Sequence, residues 1–170
     1  MSDAAPLILT LALDGSSFAG LDALRRRHFP PERNRVPAHL TLFHAIPGRE
    51  KTAATRDLGA ICKTQKPFPL AATGWTSLGH GTALSVSSPA LVALRQALAR
   101  EWRDWLTPQD SARFAPHVTV QNKVSPQEAA GLLRELRAGF RPFEMRAEGV
   151  LLWRYLDGPW ELLRRFPFAG

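Results

Sequence analysis

The sequence predicts an α+β fold with antiparallel hairpins, and three observations predict it. Strand-like and helix-like runs alternate along the whole chain, without a low-complexity linker to divide it. Two pairs of strand-like runs, 69–78 with 82–87 and 143–156 with 160–168, are joined by the short turns Gly79-His80-Gly81 and Asp157-Gly158-Pro159, which makes them antiparallel hairpins. One phrase, Pro37-Ala38-His39-Leu40-Thr41-Leu42, returns as Ala115-Pro116-His117-Val118-Thr119-Val120, so the chain carries two related motif strands. With 170 residues, 45% of them hydrophobic, it can bury a sizeable core as one domain over residues 1–170.

Taken in order, residues 6–13 form an apolar strand. Ser16 or Ser17 caps a helix that runs to about His28, with Phe18, Leu21 and Leu24 on one side. Pro30-Pro31 turns the chain into a polar loop, and residues 38–46 form the first motif strand, closed by Pro47-Gly48. A helix from about Glu50 to Ile61 turns Ala54, Leu58 and Ile61 inward, and the first hairpin follows. Ser88-Pro89 begins the best-marked helix: serine caps, proline suits the first helical position, and Leu91, Leu94, Leu98 and Trp105 recur on one face. Its Arg95, Arg100 and Arg103 are expected to face water. After a loop at 107–115 comes the second motif strand, 116–124. Ser125 to Glu128 contains a capping box for a helix bearing Leu132, Leu133 and Leu136, ended by Gly139, and the second hairpin completes the chain.

The motif phrases carry the chemistry. Side chains alternate across a strand, so histidine and threonine at i and i+2 share a face while the aliphatic residues between them enter the core. Three of the five histidines have threonine at i+2, so spacing alone does not select a site. His80 lies between two glycines and is read as a turn residue. His39 and His117, with Thr41 and Thr119, lie within aliphatic strands, and pattern alone reads them either as half-buried histidines satisfied by backbone hydrogen bonds or as the candidate catalytic pair with its phosphate-binding hydroxyls. Alternation places Gln121 and Lys123 on the face of His117, and Phe43 with Ala45 on the face of His39. Phe43, Gln121 and Lys123 are therefore candidate substrate contacts. Against this, Lys123 reads first as having emerged into solvent, and Phe43 as core. His44 is expected to point away from the site.

The paired phrases resemble the signature of the two-histidine (2H) phosphoesterase superfamily, in particular its bacterial 2′-5′ RNA ligase and RNA 2′,3′-cyclic phosphodiesterase group. The resemblance rests on His39-Leu40-Thr41-Leu42 and His117-Val118-Thr119-Val120 and on an element order that extends over nearly the whole chain. It implies a bilobal, pseudo-symmetric fold, with two antiparallel-rich sheets flanking a central cleft and helices outside. The implied activity is hydrolysis of 2′,3′-cyclic phosphate ends, or its reversal to a 2′-5′ linkage. The opening strand, Leu-Ile-Leu-Thr-Leu-Ala-Leu over residues 7–13, lacks the Arg- and Phe-rich character of the RNA ligase subgroup, which leaves the substrate open.

Charge and composition narrow the partners. A formal net charge of +7 attracts phosphates, so RNA ends or nucleotide cyclic phosphates are the expected ligands. The runs Arg25-Arg26-Arg27 and Arg164-Arg165 read first as solvated faces and second as RNA contacts. The longest apolar run, residues 5–13, is too short to cross a bilayer, and cytoplasm is the expected compartment with no membrane partner. Oligomeric state is not legible. The single cysteine, Cys62, cannot form an intramolecular disulfide and has no base beside it. Neither motif strand offers an acidic or thiol third ligand, so no metal and no other cofactor is expected. Imidazoles with ordinary pKa near ~6.5 can serve as both acid and base at neutral pH. The competing readings are a non-catalytic RNA- or nucleotide-binding module on the same fold, and a phosphodiesterase for a different small cyclic phosphodiester.

Overall fold

A computed structural model describes residues 4–170 of the chain. Strand β1 (Leu7–Leu13) is buried through its first five residues, with Leu7, Leu9 and Leu11 in the core and strands paired along both of its edges. Helix α1 (Gly15–His28) follows at once. Its cap is Asp14 instead of the expected serines. One Asp14 oxygen accepts the Ser17 N–H at 3.0 Å and the other accepts the Arg146 N–H at 2.8 Å, so the carboxylate starts the helix and ties it to a distant strand.

Next come β2 (Leu40–Ile46), α2 (Lys51–Thr64), and the hairpin β3 (Phe68–Ser77) and β4 (Thr82–Ser87). Gly81, in the hairpin turn, lies so close to the Gln121 carbonyl that a Cβ there would collide with it. Helix α3 (Pro89–Glu101) is capped by the Ser88 hydroxyl, as its sequence predicts, but stops short of Trp105. Trp102 and Trp105 then stack at 5.7 Å, with Trp102 fully buried against Phe43. A four-residue helix, α4 (Pro108–Ser111), interrupts the expected loop before β5 (His117–Gln121). Helix α5 (Pro126–Ala138), capped by Ser125, leads to the closing hairpin β6 (Phe143–Tyr155) and β7 (Trp160–Pro167).

All strand pairs are antiparallel, in the order β2-β1-β6-β3-β4-β5, with β7 also on β6. The two expected sheets are therefore one, and β6 is the reason. At 13 residues it is long enough for 143–147 to pair with β3 while 147–154 pair with β1 and 149–155 with β7. The sheet curls until its outermost strands, β2 and β5, border one cavity. These are the two motif strands. Helix α1 packs on β5, α5 on β3 and α2 on β7.

Candidate active site

Each motif histidine is positioned by its own local chain. The residues ahead of the rings, Pro37-Ala38 and Ala115-Pro116, include a proline that favours extended backbone. The turn so formed brings a carbonyl under each ring. His39 Nδ1 lies 2.8 Å from the Pro37 carbonyl oxygen, and His117 Nδ1 lies 2.9 Å from that of Ala115. A carbonyl oxygen only accepts, so each Nδ1 carries the proton and donates it. In the neutral ring, Nε2 is then the free lone pair, on the edge opposite the bond.

Both rings line one cavity of about 430 Å³, together with Thr41 and Thr119. The structure thus brings the four motif residues together. His39 stands just before β2 and Thr41 within it, while His117 opens β5. Burial pushes the pKa of His39 down, to about 4; the bond to the Pro37 carbonyl acts the other way, and the charges of Arg25, His117 and His44 add to the lowering. The ring is neutral at pH 7.

The two motif strands are held by buried arginines, each on a helix of the other half of the chain. Arg25, on α1, donates to the Thr119 carbonyl of β5 at 2.9 Å and to Asn34 Oδ1 at 2.9 Å, with its guanidinium 4.2 Å over the Phe29 ring. Arg95, on α3, donates to the Leu42 carbonyl of β2 at 2.8 Å and to the Asp110 carbonyl, with its guanidinium 4.0 Å over Phe43. Neither arginine is the solvated or RNA-facing residue that the sequence led one to expect. Arg25 is 4% exposed and Arg95 8%. Burial lowers the pKa of Arg25 to about 10, which leaves it cationic at neutral pH. Arg26 and Arg27 are exposed, as expected.

The three candidate substrate contacts are not in the cavity. Phe43 is fully buried between Arg95 and Trp102. The cause is a register shift against β1, where Leu9 and Thr10 face Phe43 and Thr41, so the strand carries an extra residue and Leu42 and Phe43 both enter the core. A second shift, between the pairs Leu9–Phe43 and Leu7–Ile46, turns both His44 and Ala45 to the cavity. His44 is thus a site residue, against expectation. Gln121 is 3% exposed, and its side-chain oxygen accepts the Thr82 hydroxyl at 3.3 Å. Lys123 lies beyond the end of β5 in left-handed backbone, φ 65°, and is exposed. His80 sits in its turn, bonded through Nδ1 to the Val124 carbonyl at 3.0 Å.

His44 is held by Asp110 of α4, whose carboxylate is completely buried. Its oxygens accept the backbone N–H of His44 at 2.8 Å, that of Ala45 at 2.9 Å, and the His44 Nδ1–H at 3.0 Å. Burial alone would raise the pKa of Asp110; the bonds from His44 and Ala45 outweigh it and hold the carboxyl below its ordinary value.

Two aromatic residues of the last hairpin complete the wall and were missed in the sequence: Tyr155 and Trp160. Trp160 lies 4.7 Å from the His39 ring, tilted by 56°, and meets Trp153 edge-on at 5.9 Å. Among the described residues, no group of three or more His, Cys, Asp or Glu side chains is placed to hold a metal ion, and no helix is long and apolar enough to cross a membrane. Burial pushes the Cys62 thiol up to about 11, the opposite of an activated nucleophile.

The sequence model of the 2′-5′ RNA ligase superfamily matches residues 13–159. Comparison with curated proteins gives no match. Among solved structures, the chain is similar to TT0787 of Thermus thermophilus, with a TM-score of 0.68 at 20% identity, covering 97% of this chain and 98% of that one. It is similar to E. coli LigT complexed with 3′-AMP, with a TM-score of 0.64 at 20% identity, covering 98% and 99%. Usb1 of Kluyveromyces marxianus with uridine monophosphate superposes at a TM-score of 0.50 and 15% identity, covering 99% and 100%. These likenesses establish the fold.

Proposed function

Since the chain belongs to the 2′-5′ RNA ligase superfamily, we propose that it is a metal-independent phosphodiesterase that opens 2′,3′-cyclic phosphate ends of RNA or nucleotides by acid–base catalysis between His39 and His117. The observation that carries the proposal is the matched pair of Nδ1 bonds, 2.8 Å and 2.9 Å, which leaves an Nε2 on each ring for one shared cavity. A reacting phosphorus between the rings has a proton acceptor on one side and a donor on the other.

His39 is the base, because burial keeps it neutral at the working pH. Its Nε2 takes a proton from water as the water oxygen forms a bond to phosphorus. On the opposite side the bond from phosphorus to one ribose oxygen breaks, and that oxygen receives the proton of His117 Nε2. The product is a phosphomonoester with a free neighbouring hydroxyl. The Thr41 and Thr119 hydroxyls donate to the non-bridging oxygens, where charge develops. Trp160 and Tyr155 offer an aromatic wall of the kind on which unstacked bases are held. With an RNA 5′-hydroxyl in the place of water, its oxygen bonds to phosphorus as the bond to the ribose 3′ oxygen breaks and that oxygen takes the proton of His117, which leaves a 2′-5′ linkage. The solved relatives with 3′-AMP and with uridine monophosphate support a nucleotide as the ligand of this fold.

The test is hydrolysis of nucleoside 2′,3′-cyclic phosphates and cyclic-phosphate-ended oligonucleotides, with EDTA present, by wild type, His39→Ala and His117→Ala. Turnover by wild type and its loss in both variants is the expected result. Nucleotide binding without turnover of any member supports the binding-module reading instead. Turnover of a different cyclic phosphodiester, abolished by the same substitutions, keeps the mechanism and changes the substrate.

A further inference from the structure

Acid–base hydrolysis uses two imidazoles, and the cavity holds three. His44 is the third. We propose that His44 binds a second phosphoryl group of the substrate, beyond the reacting one, and that Asp110 is its positioning residue; this rests on the phosphodiester reading above.

Asp110 could be present only to satisfy backbone. β2 is the outermost strand, and the bulge leaves the His44 and Ala45 N–H groups without a strand partner, a need that the carboxylate meets. That role does not require the bond to the ring. The neighbouring cation, Arg95, spends its N–H groups on the carbonyls of Leu42 and Asp110. Among the described residues, the His44 Nδ1–H is the one side-chain donor that the Asp110 carboxylate receives, at 3.0 Å. It fixes the ring plane and commits Nδ1, so Nε2 is the atom left for the cavity. The side chain is 45% exposed although its anchor is completely buried.

Position and charge indicate what Nε2 meets. His44 is five residues after His39, up to about 16 Å along the strand at ~3.3 Å per residue, with Thr41 between them. It borders the same cavity as the reacting pair, further along β2 than Thr41. Among the described residues, the lining includes three imidazoles, two threonine hydroxyls and no carboxylate. An imidazole backed by a buried carboxylate can hold an anion through a charge-assisted bond while the carboxylate balances the ring. The ligand chemistry is therefore a phosphate one nucleoside away from the reacting one. It has two sources, a terminal 5′-phosphate or the diester that joins the next nucleotide.

Calorimetric binding to wild type, His44→Gln and Asp110→Asn tests this, with three probes: a nucleoside 3′-monophosphate, the nucleoside 3′,5′-bisphosphate, and a dinucleotide ending in a 3′-phosphate. Wild type is expected to bind the bisphosphate at least about tenfold tighter than the monophosphate, the worth of one hydrogen bond to a charged group. In His44→Gln that ratio falls towards one, and in Asp110→Asn it falls part of the way. A gain shared by the dinucleotide names the diester as a source; a gain confined to the bisphosphate names the terminal phosphate. Equal affinities in wild type, or a ratio unchanged in His44→Gln, overturns the proposal even if Asp110→Asn fails to fold. Monophosphate binding without a bisphosphate gain defeats this proposal alone, whereas failure to bind any probe defeats the phosphodiester reading with it.

Discussion

The Trp160 ring meets the His39 ring at 4.7 Å between centroids, tilted by 56°, so the last hairpin of the chain covers the first motif histidine. A wall this close shields the imidazole from water, and burial is the leading cause of its lowered pKa. The base of the proposed reaction is thus tuned by a residue outside either motif.

Trp160→Ala should therefore move the acid limb of the pH–activity profile upward. In wild type, His39 remains neutral until the pH approaches about 4, so the base is available throughout the mildly acidic range. With the indole gone, the rehydrated ring should titrate closer to the ordinary ~6.5, and kcat/KM measured from pH 4 to 8 should begin to fall at higher pH than in wild type.

Removing either motif imidazole should cost roughly 10²–10⁴-fold in kcat, with EDTA making no difference to wild type. Thr41→Val and Thr119→Val should each cost less, about 10- to 100-fold, as expected for one hydrogen bond to a charged oxygen. A hydroxyl variant slower than its histidine variant would contradict this order of roles.

Stability should decline between pH 6.5 and about 4. The unfolded chain takes up a proton at the ordinary histidine value of 6.5 while folded His39 resists until about 4, so the unfolded state binds more protons within that window. The contribution is fully present above 6.5 and lost as the pH falls. His28, also lowered by burial, acts in the same direction. Urea unfolding at pH 7 and pH 4.5 should show a smaller loss in His39→Gln than in wild type.

Arg25→Met and Arg95→Met should each cost about 1–3 kcal/mol of stability by orphaning the carbonyls of Thr119 and Leu42. Both should also lower kcat, although neither side chain lines the cavity. Denaturant titration together with steady-state kinetics checks the pair.

The motif residues were legible because their placement is local: two residues of strand and a preceding proline suffice to aim His39, Thr41, His117 and Thr119. Helix caps at Ser88 and Ser125 were legible for the same reason. What escaped depends on contacts between distant segments. Period-two alternation assumes an unbroken pleat, and the two register shifts of β2 against β1 reversed the assignments of Phe43 and His44. Arg95 looked solvated on its helix, yet the carbonyls that receive it belong to β2 and α4. Trp160 and Tyr155 reach the cavity only because β6 pairs with β1 on one side and β7 on the other, and the same long strand merges two expected sheets into one.

The crossing of Arg25 to β5 and of Arg95 to β2 has the geometry of a two-fold dimer contact contained in one polypeptide. Each half supplies the clasp for the other half's histidine strand and lacks one for its own. The approximation is visible in the receiving atoms, a threonine carbonyl within one motif and the carbonyl of the residue after the threonine in the other. Cut between α2 and β3 and expressed as two fragments, the protein should show activity only on mixing, because each fragment holds one of the two imidazoles and the buried arginine that clasps the other's strand.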